Sequence, residues 1–213
     1  MRIVVMFPTA TEAAGFVRPD VQCEVFGVGL TTTAYQTLKC IRRHQPDWLI
    51  LAGIAGVFPH APFRVGDVTL VHSELEADLG FFTPQGFTHL AHLPLEMDFA
   101  RRHVLECPYS AQIEGFAPAR SISLNAAMAP FIDSSQAEIE NMEGAAFFHV
   151  CREEGVPFLE LRSVSNIVQP EDDQWDMGKA VAALHHGLHQ LLDQLQRNSV
   201  TPIASGATAE SQP

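Results

Sequence analysis

Short uninterrupted apolar runs recur along this chain, separated by longer stretches in which apolar residues return every three or four positions. The runs are Ile3–Phe7, Val25–Val28, Trp48–Ala52, Val68–Val71 and Phe158–Val164. Each has the length of a strand, and continuous rather than alternating apolarity marks strands covered on both faces, as in a mostly parallel sheet flanked by helices. The longer stretches read as helices. Thr31–Arg43 sets Ala34, Leu38 and Ile41 on one stripe, with three threonines available as N-caps. Gly144–Glu154 stops at Gly155, with Pro157 just beyond. Met177, Val181, Leu184, Leu188, Leu191 and Leu195 step by four and three along a last helix, which Asp172 or Asp173 could cap. The pattern predicts an α/β fold, three-layer α/β/α, with a central mixed, mostly parallel sheet.

From Asn198 onward bulky side chains give way to Ser, Thr, Ala, Gly and Pro. A single domain over 1–197 and a disordered tail over 198–213 are therefore expected. With 213 residues the chain is long enough to bury a substantial core. Its 13 basic and 25 acidic residues leave a net charge of −12, which would repel a phosphate backbone. Neither nucleic acid nor an anionic membrane is an expected partner. No apolar run approaches the roughly 18 residues of a membrane span, and Ile3–Phe7 meets Pro8 too soon for a signal peptide, so a cytoplasmic location is expected. Cys23, Cys40, Cys107 and Cys151 form no CxxC pair and sit in or beside apolar segments, where a thiol acts as a small hydrophobe.

Chemistry has to be sought among the polar residues that interrupt apolar surroundings. Gly53-Ile54-Ala55-Gly56 follows Trp48–Ala52, and small residues there either admit a ligand close to backbone N–H groups or simply turn the chain. Gly27-Val28-Gly29-Leu30 lacks the spacing and acidic partner of a dinucleotide site, and no GxxxxGK[ST] loop is present. Glu143 stands among Met142, Gly144, Ala145 and Ala146, a setting apt for burial, where an unpaired carboxylate would cost several kcal/mol. It must have a partner or a site. His185 and His189 are four apart on the last helix, but no third ligand stands in a recognisable pattern, and no metal is expected. His149 and Cys151 read as filling.

Taken in order, several segments carry a resemblance. Thr9–Glu12 follows the first run and Gly27-Val28-Gly29 the second. Gly53-Ile54-Ala55-Gly56, Val65-Gly66-Asp67-Val68 and Glu76-Ala77-Asp78-Leu79-Gly80 come next, then Asn141–Ala146, Arg162–Val168 and Trp175. By this order and spacing the chain resembles the nucleoside phosphorylase and nucleosidase family and, within it, the futalosine hydrolases. The family breaks the bond between ribose and base. The resemblance implies water as nucleophile, no cofactor, a small-molecule nucleoside as the partner, and a homo-oligomer, at least a dimer. It implies Glu12 as the group that activates water, Glu143 as the grip on ribose hydroxyls with Met142 against the sugar, and Arg162 as an aid to the water or its carboxylate. Ile54, Ala55 and Gly56 would line the substrate. Asp78 would organise its loop.

Asn166 decides the expected base, because related adenine-releasing enzymes carry Asp there. An amide donates to a 6-oxo group and accepts from a protonated N7, whereas a mismatched edge leaves buried polar groups unpaired. Hypoxanthine is the expected leaving base. An amide is no general acid near neutral pH, so the source of the base's proton is open. The rival readings are a methylthioadenosine/S-adenosylhomocysteine nucleosidase, against which Asn166 stands, a phosphorolytic enzyme, for which no basic cluster is found outside Arg162, and a silent nucleoside-binding protein.

Overall fold

The computed structural model describes residues 1–93, 103–169 and 174–198. The expectations for Glu171, Asp172, Asp173 and the tail beyond residue 198 lie outside the described residues. The elements are, in chain order, β1 (Ile3–Phe7), α1 (Ala10–Ala13), β2 (Gln22–Val25), α2 (Leu30–His44), β3 (Trp48–Val57), β4 (Val68–Glu76), β5 (Gly80–Thr83), β6 (Gly86–His89), β7 (Leu105–Glu106), β8 (Ala117–Ser123), β9 (Ile139–Asn141), α3 (Gly144–Glu153), β10 (Phe158–Ile167) and α4 (Met177–Asn198).

The strands form a mixed, mostly parallel sheet, as the continuous apolar runs predict. It does not lie flat between two helical layers. β3 pairs in parallel with β1 from Trp48 to Leu51 and with β10 from Leu49 to Val57, and its last two residues pair antiparallel with β9. From β10 the order runs through β4, β8 and β9 back to β3, so the sheet closes on itself, with β1 and β2 extending from one side. The three-layer expectation is corrected to that extent. The cause lies in β3 and β10, each ten residues long. Strand twist accumulates with length, enough for β3 to present one half to β1 and the other to β9.

The runs also underestimate the strands. β3, β4 and β10 continue past Ala52, Val71 and Val164 through residues among which Gly53, Gly56, Ser73, Glu74, Ser165 and Asn166 are small or polar yet buried. β2 instead precedes its expected run, because Gly27 and Gly29 take φ of 107° and 99° and turn the chain into α2. No threonine caps that helix. Gly29 occupies the N-cap position, and the Thr33 hydroxyl donates back to its carbonyl. α4 buries Leu184, Leu188, Leu191 and Leu195 against β10, β3 and β4. At its start the Asp176 side chain accepts from the Lys179 amide. Cys40, Cys107 and Cys151 are buried as expected of small hydrophobes, but Cys23 is exposed. Among the described residues no helix is long and apolar enough to cross a membrane.

Candidate active site

The C-terminal halves of β3 and β10, the end of β9 and the first turns of α1 and α3 converge on one cavity of about 250 Å³. Glu12, Ile54, Ala55, Gly56, Met142, Glu143 and Asn166, all named from the sequence, line it, and so do Trp175, just before α4, and Met177 at its start. Arg162 is not on that wall.

Glu12 is placed by a capping box. Thr9 caps α1 by accepting from the Glu12 amide, and Glu12 Oε2 accepts from the Thr9 amide and hydroxyl at 2.9 and 2.6 Å. Its other oxygen accepts from the Ile54 amide at 2.9 Å. The Ile54 N–H therefore serves a carboxylate, and Gly53–Gly56, read from the sequence as either a ligand approach or a turn, is strand. Gly53 is nonetheless needed: a Cβ there would lie 2.5 Å from Arg162 Nη1 and 3.1 Å from Glu12 Oε1. His185 bonds the Glu12 carbonyl at 2.7 Å, and His189 packs on Phe16. That face of α4 is thus an anchor for α1 and not simply polar. No group of metal-ligating side chains occurs among the described residues.

Glu143 occupies the N-cap position of α3 but does not cap it. Asn141 Oδ1 accepts from the Glu143 and Gly144 amides, both at 2.7 Å, and Ser123 Oγ accepts from Ala145. With the helix end satisfied by these neighbours, the Glu143 carboxylate is free to turn to the cavity. It accepts from Arg162 Nη1 at 3.2 Å. Burial pushes its pKa above the ordinary carboxylate range, against the pull of Arg162.

Arg162 is 1% exposed, which excludes a surface salt bridge. It donates to Glu160 at 2.7 Å, to the Ile54 carbonyl and Asn141 Oδ1 at 3.0 Å, and to Glu143. Burial works against its charge, but Glu160 and Glu143 outweigh it and hold the guanidinium protonated. Arg162 thus stands behind the wall and holds the Glu143 carboxylate by its Nη1 hydrogen bond.

Asn166 is buried as well. Its Oδ1 accepts from Ser165 Oγ at 2.9 Å, whereas Nδ2 reaches only the Ile167 carbonyl at 3.5 Å. The amide is oriented and its NH₂ remains a donor for the cavity, as assigned from these bonds.

Sequence reasoning missed the support behind the wall. Glu74 accepts from Ser123 and Asn141, and Asn141 also donates to Ser121. Burial, then the Glu160 charge, raise Glu74 to about 8, and burial raises Glu160 as well. The visible signal was polarity inside buried runs, with Glu160 in the middle of Phe158–Val164. Asp78 accepts from the Asn125 amide at 2.7 Å, organising its loop as expected. Of the stretch Ser121–Asn125 no residue lines the cavity; Ala127 does.

A family model described as the phosphorylase superfamily matches residues 15–193. The chain belongs to the phosphorylase superfamily. Among curated members it is 31% identical to a futalosine hydrolase of Thermus thermophilus over 184 residues, 78% of either chain. It is 27% identical to a 5'-methylthioadenosine/S-adenosylhomocysteine nucleosidase of Bacillus pumilus over 172 residues, 75% of this chain and 74% of that one. Among solved structures, the native futalosine hydrolase of Helicobacter pylori superposes with a TM-score of 0.72 at 17% identity, covering 91% of this chain and 98% of the other. The nucleoside phosphorylase-like fold is shared.

Proposed function

We propose that this protein hydrolyses the N-glycosidic bond of futalosine, releasing hypoxanthine and leaving dehypoxanthine futalosine, a step in menaquinone biosynthesis. The observation that carries this reading is the oriented, buried Asn166 amide, which turns a donor to the cavity, the kind of group a 6-oxo purine requires. Both names among the relatives belong to nucleoside-cleaving enzymes, and the relative at 31% identity is a futalosine hydrolase.

Bond cleavage builds positive charge on the ribose and negative charge on the departing base, as in the oxocarbenium-like state of sugar glycosidases. Glu12, fixed by three hydrogen bonds, receives the proton of the attacking water. Glu143 accepts ribose hydroxyls and its charge offsets that of the sugar, while Arg162 keeps it in place. Met142 packs on the sugar, and Ile54, Ala55 and Gly56 form the wall beside it. Water is the nucleophile, and the reaction requires no cofactor. The protein would act in the cytoplasm as a homodimer or larger homo-oligomer, with residues 1–197 as its single domain.

The test is base release from futalosine, methylthioadenosine and inosine, with and without phosphate, read by chromatography. Phosphate-independent hypoxanthine from futalosine alone is the expected result. Adenine release would overturn the substrate, and a phosphate requirement would overturn the nucleophile. Binding of hypoxanthine without turnover of any nucleoside would move the protein to a binding role.

A further inference from the structure

The base end of the cavity contains an acid. Glu140 on β9 and Asn166 on β10 both register with Gly56 on β3. Registered neighbours on adjacent strands point to the same face of a sheet. The two side chains therefore stand on either side of a residue that has none, and both line the cavity. Glu140 Oε1 accepts from the Met128 amide at 3.0 Å. Met128 itself holds φ at 58°, a left-handed conformation that costs about 1 kcal/mol or more in a non-glycine residue and clusters at functional sites. Glu140 Oε2 makes no hydrogen bond among the described residues, and it is not one of the buried side-chain atoms sealed without a partner.

We propose that Glu140 is the general acid that supplies the proton taken up by the departing base, a role the Asn166 amide cannot fill. This rests on the nucleosidase reading above. As the C1'–N9 bond breaks, its electron pair goes to the base. The proton on Glu140 Oε2 passes to a ring nitrogen, and the base leaves neutral. Water adds its hydroxyl to C1' and gives its proton to Glu12. Exchange with solvent then returns one proton to Glu140 and removes one from Glu12.

The surroundings favour a protonated carboxyl. Its strand neighbours Gly56 on β3 and Ile122 on β8 bring no charge. The facing loop brings Met128, Pro130 and Ile132, and the ionisable groups across the cavity are Glu12 and Glu143. No cation among these faces Glu140, and burial raises its pKa above the ordinary carboxylate range. The Met128 N–H keeps Oε1 an acceptor, which leaves the proton to Oε2.

The experiment compares wild type, E140Q and E140D across the pH range on the purine nucleoside that wild type cleaves, futalosine on the reading above, and on p-nitrophenyl riboside, whose leaving group needs no proton. General acids typically contribute 10²–10⁴-fold. E140Q should lose about a hundredfold or more on the purine nucleoside and less than about tenfold on the nitrophenyl riboside. Purine release by wild type should fall as pH rises through the Glu140 pKa, a limb absent from E140Q, and E140D should recover part of the loss. Equal losses on both substrates, or an unchanged alkaline limb in E140Q, would overturn the role of Glu140. If wild type releases base from none of futalosine, methylthioadenosine and inosine, the nucleosidase reading itself fails.

Discussion

Replacing Glu74 by Gln should make the protein less sensitive to alkali. Glu74 is fully buried on β4 and accepts from Asn141 Nδ2 at 2.6 Å and Ser123 Oγ at 2.8 Å. The one guanidinium nearby donates to Glu160 and Glu143, not to Glu74. Burial and the Glu160 charge raise Glu74 from 4.5 to about 8. A carboxyl whose folded pKa is raised lends stability that is complete below its unfolded pKa and is lost as pH climbs through the folded one. The window therefore runs from pH 4.5 to about 8. At about 1.4 kcal/mol per pKa unit the loss has a ceiling of about 5 kcal/mol, and relaxation around the new charge brings it to a few. Glutamine keeps the shape and never ionises. Urea unfolding midpoints of both proteins, measured from about pH 5 to pH 9, give the comparison. Wild type should lose at least about 1 kcal/mol more than E74Q across that range. Parallel profiles, or a wild type that gains on E74Q with rising pH, would refute the assignment of the proton to Glu74.

Two further substitutions test the wall. E12Q should bind substrate but lose about 10²–10⁴-fold in kcat, the usual contribution of a general base; near-normal turnover would remove Glu12 from the mechanism. It should also lose about 1 kcal/mol of stability, since an amide cannot accept from Thr9 and Ile54 as both carboxylate oxygens do. N166D should shift the kcat/KM ratio toward adenine nucleosides by about tenfold or more, because a carboxylate accepts from a 6-amino group. An unchanged ratio would sink the base-selection argument.

Residues adjacent in sequence were readable; those assembled from distant strands were not. The apolar stripe of α4 foretold its buried leucines, and Glu143 amid small residues foretold a buried charge. Sheet closure escaped notice because pairing partners carry no local sign, and β3 was cut short at Ala52 because Gly53–Gly56 looks like a turn. Glu74, Ser123, Asn141 and Glu160 form one network from four strands, and no spacing within a segment announces it. Arg162 shows the difference in kind: its strand was visible, but whether it faced solvent, substrate or another charge depended on Glu160, Asn141 and Glu143. Glu140 was in view beside Asn141, and its chemistry emerged only from its register with Gly56.

Gly144 makes the same network testable against a local rule. At the start of α3, alanine should be preferred to glycine by about 1 kcal/mol on helix propensity alone. An alanine Cβ at this position, however, would overlap the Glu74 carboxyl and lie 2.7 Å from Glu160 Oε1. The clash is with the tip of a side chain, which would ordinarily swing aside. Glu74 cannot do so freely, because Ser123 and Asn141 hold its two oxygens, and those residues also satisfy the amides at the start of α3. Displacing the carboxyl leaves a buried polar group unpaired, at about 1–3 kcal/mol. G144A should therefore gain nothing from its helix propensity and be destabilised by up to about 2 kcal/mol in urea unfolding. It should lose activity as well, since Asn141 also receives Arg162 Nη2. A G144A protein about 1 kcal/mol more stable than wild type, as propensity alone would have it, would mean that the charges behind the wall are loosely held, and that Glu143 owes its position to something other than this network.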